Sequence, residues 1–374
     1  MRDRIPLCFC AFAVMALSNA IVPILPSTGD GAAMQGAVYA AYFIGAFIAT
    51  LPGGLIADRL GPVKLIRSGI ILSALSGLLL LIATGVFFII LFRFLEGIAA
   101  GIFIASALAW INEQTDHVSM SGFFMASLNA GLICGLVVTG LLVSYFNFGK
   151  AGIAFFFCMC LIGSILVFLT RTVNLLHRDR EVSPEEPSYT SILCLAMKYR
   201  WLWLSAIILT GATGVVTSLY PGFSGDTPQM TALYISVMNV GTIAAVIIAS
   251  RFALPPIPTI RFGAVIMAVS VFACYFTHWG FVFVGASAGC VMIAQMAFLS
   301  GSEIRQGKIM GLYTTASYAG MSSLPFIAGF VAEKSSYFSA FVFTVFSVLF
   351  VALTIGWCRC YAGKPPIIPA TGKQ

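Results

Sequence analysis

Two oppositely charged residues, Arg93 and Glu96, lie three positions apart inside an otherwise apolar run. A charge at the centre of a lipid-embedded helix costs about 2.5 to 3.5 kcal/mol even on the mildest scale, so each needs compensation. Because residues three apart share one helix face, the guanidinium and the carboxylate can pair. Two interpretations stay open. The pair only supports packing, or Glu96 loads and releases a proton as it alternates between desolvation and stabilisation by Arg93.

Uncharged polar side chains within the apolar runs form a second, softer set of candidates for contact with a small molecule. Most aromatic residues in such runs serve packing or the membrane interface, so only some of this set are expected in a site. With no further buried charge, a largely apolar or singly charged organic compound suits the chain better than a polyanion. The set comprises Asn19, Gln35, Tyr39, Tyr42, Asn129, Asn239, Tyr275, Gln295, Tyr313 and Tyr318.

Catalytic and metal-binding patterns are missing from the sequence. It has no CxxC pair, no Cys/His cluster and no Gly-x-x-x-x-Gly-Lys-Ser/Thr loop. The three histidines, His117, His177 and His278, fall in predicted loops or a linker, where solvated side chains are the simpler interpretation. We therefore expect no enzyme activity, no cofactor and no metal.

The composition predicts which structural elements position these residues. The chain is 60% hydrophobic and 9% charged, with a mean hydropathy of +1.00, whereas an average soluble domain is about 25% charged. Long apolar runs without two-residue alternation favour membrane-spanning helices of about 20 residues each. The predicted spans are 5–25, 33–57, 66–84, 86–111, 121–144 and 151–170, then 201–220, 229–250, 260–277, 279–301, 308–331 and 337–357.

The basic residues predict the orientation, because Lys and Arg are retained on the cytoplasmic side. If the N-terminus is inside, only Lys150 and Lys334 among the 20 Lys and Arg residues fall outside, and Arg93 lies within a span. Both termini are thus expected in the cytoplasm. The formal charge of +7 is spread along one membrane edge, so it does not indicate a nucleic-acid partner.

A weak repeat divides the chain. Gly97-Ile-Ala-Ala-Gly101 is echoed by Gly285-Ala-Ser-Ala-Gly289, and the segment 55–69 is echoed by 247–263. A proline-bearing, mixed-charge stretch between the halves has the composition of a linker. We expect a six-helix bundle at 1–170, a cytoplasmic linker at 171–200, a second bundle at 201–357 and a cytoplasmic tail at 358–374, with a central site between the repeats.

The loop after the second span reads Gly54-Leu-Ile-Ala-Asp-Arg-Leu-Gly-Pro-Val-Lys64, and it resembles the loop signature of the major facilitator superfamily. The resemblance implies two pseudo-symmetric bundles of six helices and a cytoplasmic latch on the outward-open state. Pro62 and Val63 depart from a pattern that is often basic there. The alternative is an ordinary basic loop, which would not explain the spaced glycines. The latch residues would be Gly54, Asp58, Arg59, Gly61, Lys64 and Arg67.

Three shorter segments are similar to the twelve-helix drug:proton antiporters of that superfamily. They are the Pro-x-x-Pro at 23–26, the Arg-x-x-Glu-Gly at 93–97, with Glu for the usual Gln, and a glycine series in the fifth span. In that series Leu136 and Thr139 replace a proline and a glycine. Small residues also let membrane helices approach closely, so packing is the simpler role. The series is Gly122, Gly131, Gly135 and Gly140.

The resemblance implies a secondary transporter of the plasma membrane that moves small, largely apolar or singly charged organic compounds outward in exchange for protons. Its expected partners are a small-molecule substrate, protons and the lipid bilayer, and a monomer is expected. Two alternatives remain: an uptake carrier that holds a small organic anion on Arg93, and a transporter-like protein that binds without turnover. Fold alone does not decide among them.

Overall fold

The computed structural model describes residues 4–357 except 29–30, 115, 170–196, 198, 253 and 301–305. All regular structure in this part of the chain is helical, which confirms the all-α prediction. The first six long helices are α1 (Arg4–Asn19), α2 (Ala32–Leu60), α3 (Pro62–Ile82), α4 (Val86–Asn112), α5 (His117–Phe146) and α6 (Ala151–Leu169). The next six are α7 (Arg200–Phe223), α8 (Pro228–Ala249), α9 (Pro256–Phe276), α10 (Trp279–Ser300), α11 (Gln306–Lys334) and α12 (Tyr337–Thr354).

Proline sets several helix ends. Pro62, Pro228 and Pro256 stand in the first turns of α3, α8 and α9, where a missing N–H costs no helical hydrogen bond. The first predicted span, by contrast, is interrupted: α1 ends at Asn19, and a 3-10 turn (Val22–Ile24) and a short helix (Leu25–Thr28) complete the crossing. The Pro-x-x-Pro segment lies in this interruption, with Pro23 and Pro26 in the first turns of the two short elements, where a missing N–H costs no helical hydrogen bond.

Within the described residues, eleven helical segments are long and apolar enough to cross a membrane. Large apolar side chains face outward on them, for example Phe87 at 72% exposure and Phe346 at 68%. Exposed apolar surface on so many long helices is typical of contact with lipid. The twelfth long helix, α11, is less apolar because it carries several hydroxyl side chains, and it packs against α2 and α7. The chain is a multi-pass membrane protein.

The two halves repeat one packing pattern. In the first half α2 packs on α4, α1 on α5, and α3 on both α4 and α6. In the second half α8 packs on α10, α7 on α11, and α9 on both α10 and α12. This correspondence confirms the prediction of two pseudo-symmetric six-helix bundles. The predicted tail at 358–374 lies outside the described residues, as does the linker except for residues 197, 199 and 200. The predicted domain limits therefore stay a prediction.

The repeat is visible in single contacts. A Cβ on Gly97 of α4 would collide with the carbonyl oxygen of Tyr42 on α2, and a Cβ on Gly285 of α10 would collide with that of Met238 on α8. Only glycine allows backbones this close. The sequence echo at 97–101 and 285–289 thus marks one helix crossing built twice.

The two basic residues predicted on the far side of the membrane have structural roles. The Lys150 ammonium donates to the carbonyls of Leu80, Leu81 and Ala83, at 3.1, 3.0 and 2.6 Å, where α3 ends. A cation is favourable at a helix C-terminus, whose carbonyls lack partners. Lys334 lies 5.7 Å from the centre of the Phe330 ring. These contacts account for the two exceptions to the basic-loop pattern.

Candidate functional site

Arg93 and Glu96 lie one turn apart in the middle of α4, and the structure joins them. An Nη1 to Oε2 distance of 2.6 Å makes this a charge-assisted hydrogen bond. Each residue is only 1% exposed, and they are the only charged residues classed as buried in the described part of the chain. The pair therefore lies inside the first bundle rather than at an open surface.

A tyrosine on α2 completes the surroundings of the pair. The Arg93 guanidinium lies 4.7 Å from the centre of the Tyr42 ring, a distance that allows a cation–π interaction. The Tyr42 hydroxyl points to the Met15 sulfur on α1, 3.9 Å away. Tyr42 keeps this place because its own carbonyl contacts Gly97, one residue after Glu96. The tight α2–α4 crossing thus positions both the ring and the pair.

The pair is not fully satisfied. Among the described residues, Arg93 Nε and Glu96 Oε1 are buried polar atoms without a hydrogen-bond partner. Most buried polar groups in folded proteins are paired, so two such atoms on adjoining side chains call for an explanation. Chemically, the free carboxylate oxygen is a position to which a proton could add.

The halves meet at the membrane end opposite the chain's N-terminus. A Cβ on Gly36 of α2 would lie 2.6 Å from the Pro325 carbonyl oxygen on α11, and a Cβ on Gly140 of α5 would lie 2.9 Å from the Ala232 Cβ on α8. The Glu333 carboxylate on α11 accepts a hydrogen bond of 3.0 Å from the Ala33 N–H at the start of α2. This end of the seam between the halves is closely packed.

Aromatic rings lie between the pair and the second half. Phe43 contacts Tyr42 edge-on at 5.0 Å and Tyr39 at 5.0 Å, and it reaches Tyr318 of α11 at 6.0 Å. The predicted candidate Tyr39 is 3% exposed and adjoins Gly214 of α7. The structure therefore brings Tyr39, Tyr42 and Tyr318 together beside the charged pair.

A second polar group lies in the second half. The Tyr313 hydroxyl donates to Gln295 Oε1, and Gln295 Nε2 donates to the Ser205 hydroxyl, each at 2.9 Å. Ser205 in turn donates to the Leu202 carbonyl at 2.7 Å. This uncharged chain connects α11, α10 and α7 and is buried. Ser205 was missed by the sequence analysis, because a single serine in an apolar run gives no signal.

The remaining polar candidates have separate surroundings. Asn19 donates to the Leu132 carbonyl on α5, and Asn129 donates to Met125 of its own helix. Gln35 is buried at the seam, beside Gly222 and the Tyr337 hydroxyl. Asn239 is half-buried on α8 and Tyr275 stacks on Phe223 at 4.9 Å. They do not gather at one point with Arg93 and Glu96.

The predicted latch loop contains a single linking residue. Gly61 has φ of +87°, a value that favours glycine, and it alone separates α2 from α3. Lys64 is exposed, and Arg67 lies 5.1 Å from the centre of the Phe168 ring on α6. A Cβ on Gly54 would meet nothing within 4 Å. The side chains of Asp58 and Arg59 lie outside the described residues.

The glycines of α5 fall into three environments. Gly131 and Gly135 lie against the Phe12 and Ala16 carbonyls of α1, so they serve packing inside the first half. Gly140 lies at the seam with α8, whereas a Cβ on Gly122 would meet nothing within 4 Å. Of the four, only Gly140 contacts the other half.

No group of three or more His, Cys, Asp or Glu side chains among the described residues could hold a metal ion.

Comparison with known proteins extends the fold assignment. The Major Facilitator Superfamily profile matches residues 7–323. The solved structure of the nucleoside transporter NupG is similar over 97% of this chain and 100% of that chain, with a TM-score of 0.76 and 14% identity. A bacterial homolog of the human lysosomal transporter Spinster, inward-facing and occupied, covers 95% of this chain and 96% of its own, with a TM-score of 0.75 and 14% identity.

A more local likeness joins the chain to an Arabidopsis thaliana protein named "Probable anion transporter 3, chloroplastic". The two are 25% identical over 143 residues, which is 37% of this chain and only 28% of that protein. The structural likenesses speak for the fold alone. Since the family profile extends from α1 into α11, across both bundles, the chain belongs to the Major Facilitator Superfamily of secondary transporters.

Proposed function

We propose that this chain is a monomeric plasma-membrane transporter that exports small, largely apolar or singly charged organic compounds in exchange for protons. Both termini would be cytoplasmic. The observation that carries the proposal is the buried pair of Arg93 and Glu96. Among the described residues, no donor forms a hydrogen bond with the Oε1 atom of Glu96. In a membrane helix, an ionisable residue facing the protein interior is by default a candidate for ion or proton coupling.

A proton on Glu96 would remove the charge that holds Arg93. The guanidinium would then be buried without its counter-ion, a costly state that a rearrangement of the helices can relieve. The helix that adjoins the pair is α2, through Tyr42, and the same helix carries Ala33 and Gly36 at the seam. Protonation is thereby expected to bias how α2 meets α11, which is the step that alternating access requires.

The substrate class follows from the surroundings of the seam. Phe43 and Tyr318 are half-buried aromatic side chains next to the pair, and Phe43 also contacts the buried Tyr39. No other charged residue in the described part of the chain is buried. Aromatic walls with few polar groups suit apolar or singly charged organic molecules. A polyanion would need several buried cations.

Uptake of a small organic anion is the second candidate. It is favoured by the local likeness to a protein named as a probable anion transporter, and an arginine is well suited to carboxylate binding. Against it, the Arg93 guanidinium is already paired and only 1% exposed. An anion would have to displace Glu96.

The test is transport in proteoliposomes with a pH indicator inside. An organic cation, a neutral aromatic compound and an organic anion are supplied in turn to the native protein, to Glu96→Gln and to Glu113→Gln. Glu113 is exposed at the end of α4, so it is the matched control. We expect proton movement coupled to the cation or the neutral compound, lost in Glu96→Gln and kept in Glu113→Gln.

Other results would overturn the proposal. If coupled transport persists in Glu96→Gln, Glu96 is not the proton-coupling residue. Proton movement coupled only to the anion favours the uptake carrier. Saturable binding without flux of any compound indicates a transporter-like binding protein.

A further inference from the structure

A groove runs along the outside of the second half between α8 and α10. Its volume is about 430 Å³, within the range of small-molecule pockets, roughly 300 to 1,000 Å³. Its lining is apolar and mostly small, and it includes Gly241, Ala244, Ala245, Ile248, Ala286 and Cys290. The groove therefore exists because the side chains along it are small, and, among the described residues, no polar groups line it.

The first half shows why the volume is missing. Because Gly45 and Gly97 correspond to Gly241 and Gly285, the residues equivalent to the groove lining can be read from the repeat. Bulkier side chains occupy four of those positions in the first half. Ile48, Phe94, Ile98 and Ile102 stand where the second half has Ala244, Val282, Ala286 and Cys290.

The backbone separation adds to the difference. A Cβ on Gly241 would lie 3.0 Å from the Val282 carbonyl oxygen and 3.5 Å from the Ala286 nitrogen. At the equivalent crossing, a Cβ on Gly45 would lie 2.9 Å from the Ile98 nitrogen and closer still to the Phe94 carbonyl oxygen. The α8–α10 crossing is thus more open on this face.

The groove opens outward, where its neighbours are exposed apolar side chains. Ile248 in the lining is 59% exposed, and Phe283, which directly follows the lining residue Val282, is 55% exposed. In a membrane protein such surface contacts lipid acyl chains. Arg251 lies just after the C-terminal end of α8, between the lining residues Ala249 and Phe252, and its side chain is exposed. No described carboxylate forms a salt bridge with its guanidinium.

We propose that this groove binds one acyl chain of an anionic phospholipid, with the lipid phosphate on Arg251. The apolar trough accepts the chain, and the cation at its end selects a negative headgroup over a zwitterionic one. Arginine can bind the phosphate of either lipid through paired N–H groups. The preference for the anionic lipid comes from its net charge, toward which a basic residue near the membrane surface contributes about 1 kcal/mol. The site is independent of proton coupling at Glu96.

Native mass spectrometry of the full chain in detergent tests this, with phosphatidylglycerol and phosphatidylcholine as the added lipids. We expect one tightly retained phosphatidylglycerol, bound about fivefold more strongly than phosphatidylcholine, as one basic residue predicts. Arg251→Gln should remove this preference. Ala286→Ile, which copies Ile98 of the first half, should remove the retention itself.

Two controls keep the result interpretable. Ile98→Ala opens the other half without a change in the groove, so retention should equal that of the native protein. Ala244→Ile fills the groove from α8 and should also remove the retention. It therefore serves as the test if Ala286→Ile folds poorly, and the reverse holds as well. The proposal would be overturned if Ala286→Ile and Ala244→Ile retained phosphatidylglycerol as well as the native protein does. Equal binding of the two lipids by the native protein would also overturn it. A dimer that Ala286→Ile dissociates would instead assign the groove to a second copy of the chain.

Discussion

The α2–α4 crossing of the first half and the α8–α10 crossing of the second half share a backbone design but differ in chemistry. In both, glycines of one helix lie on carbonyl oxygens of the other. In the first, Arg93 and Glu96 lie beside this contact. By the glycine register, the equivalent residues in the second are Phe281 and Val284, and both are fully buried.

The partner on the facing helix differs in the same way. Tyr42 lies under the Arg93 guanidinium, whereas its equivalent Met238 faces apolar surroundings. A duplicated fold has therefore kept the close helix approach twice and the buried charge once. The crossing itself thus contributes to stability in both halves, whereas the proposed function assigns proton coupling to the polar content of the first half alone.

The largest expected effect comes from removing one charge of the pair. Arg93→Leu leaves the Glu96 carboxylate buried without a counter-ion, and breaking a buried pair in this way costs about 3 to 5 kcal/mol. We expect a corresponding loss in the free energy of unfolding, measured by denaturant titration in detergent micelles.

The double variant Arg93→Phe with Glu96→Val copies the second half into the first. Replacing a whole buried pair with apolar residues of similar volume is often neutral or stabilising. Stability should return, while coupled transport should not. A double variant as unstable as Arg93→Leu would mean that the two crossings are not interchangeable.

Glycine substitution should affect the two crossings equally. Gly97→Val and Gly285→Val each place a side chain on the facing carbonyl, and overpacking of this kind costs about 1 to 3 kcal/mol. The measurement is the midpoint of thermal unfolding for both variants. If only one of them is destabilised, the shared backbone design is contradicted.

A smaller effect is expected from the uncharged polar chain. Tyr313→Phe leaves Gln295 Oε1 without its donor, and an unsatisfied buried acceptor costs about 1 to 2 kcal/mol. If the second half supplies mainly shape, transport coupling should be unchanged while stability falls. A loss of coupling with stability intact would give the second half a share in the mechanism.

The smallest effect should come from Lys150. Lys150→Met removes the cation that binds three carbonyls at the end of α3, an interaction worth about 0.3 to 1 kcal/mol at a helix C-terminus. Lys334→Met is the matched control, because Lys334 also stands at a helix C-terminus, as the last residue of α11, but its ammonium lies over the Phe330 ring. The midpoint of thermal unfolding should fall further in Lys150→Met than in Lys334→Met.

Much of the site was accessible to sequence reasoning because helical spacing is regular. The spacing of Arg93 and Glu96 predicted that they could pair, and the glycine echo predicted two related halves. The pair's partner Tyr42 was only one of many polar candidates, since which tyrosine meets α4 depends on how α2 crosses it. Glu333 was missed because a carboxylate at the end of a span is ordinary in sequence.

Composition and hydropathy by themselves determined a helical, multi-pass chain, because a lipid solvent permits few ways to satisfy the backbone. The internal echo predicted its two halves. None of these features could determine whether Arg93 and Glu96 face an open space or the bundle interior, since each helix can be rotated about its axis without changing its sequence. The tertiary structure decided that point: the contact of Gly97 with Tyr42 fixes the rotation of α4, and it turns both charges inward.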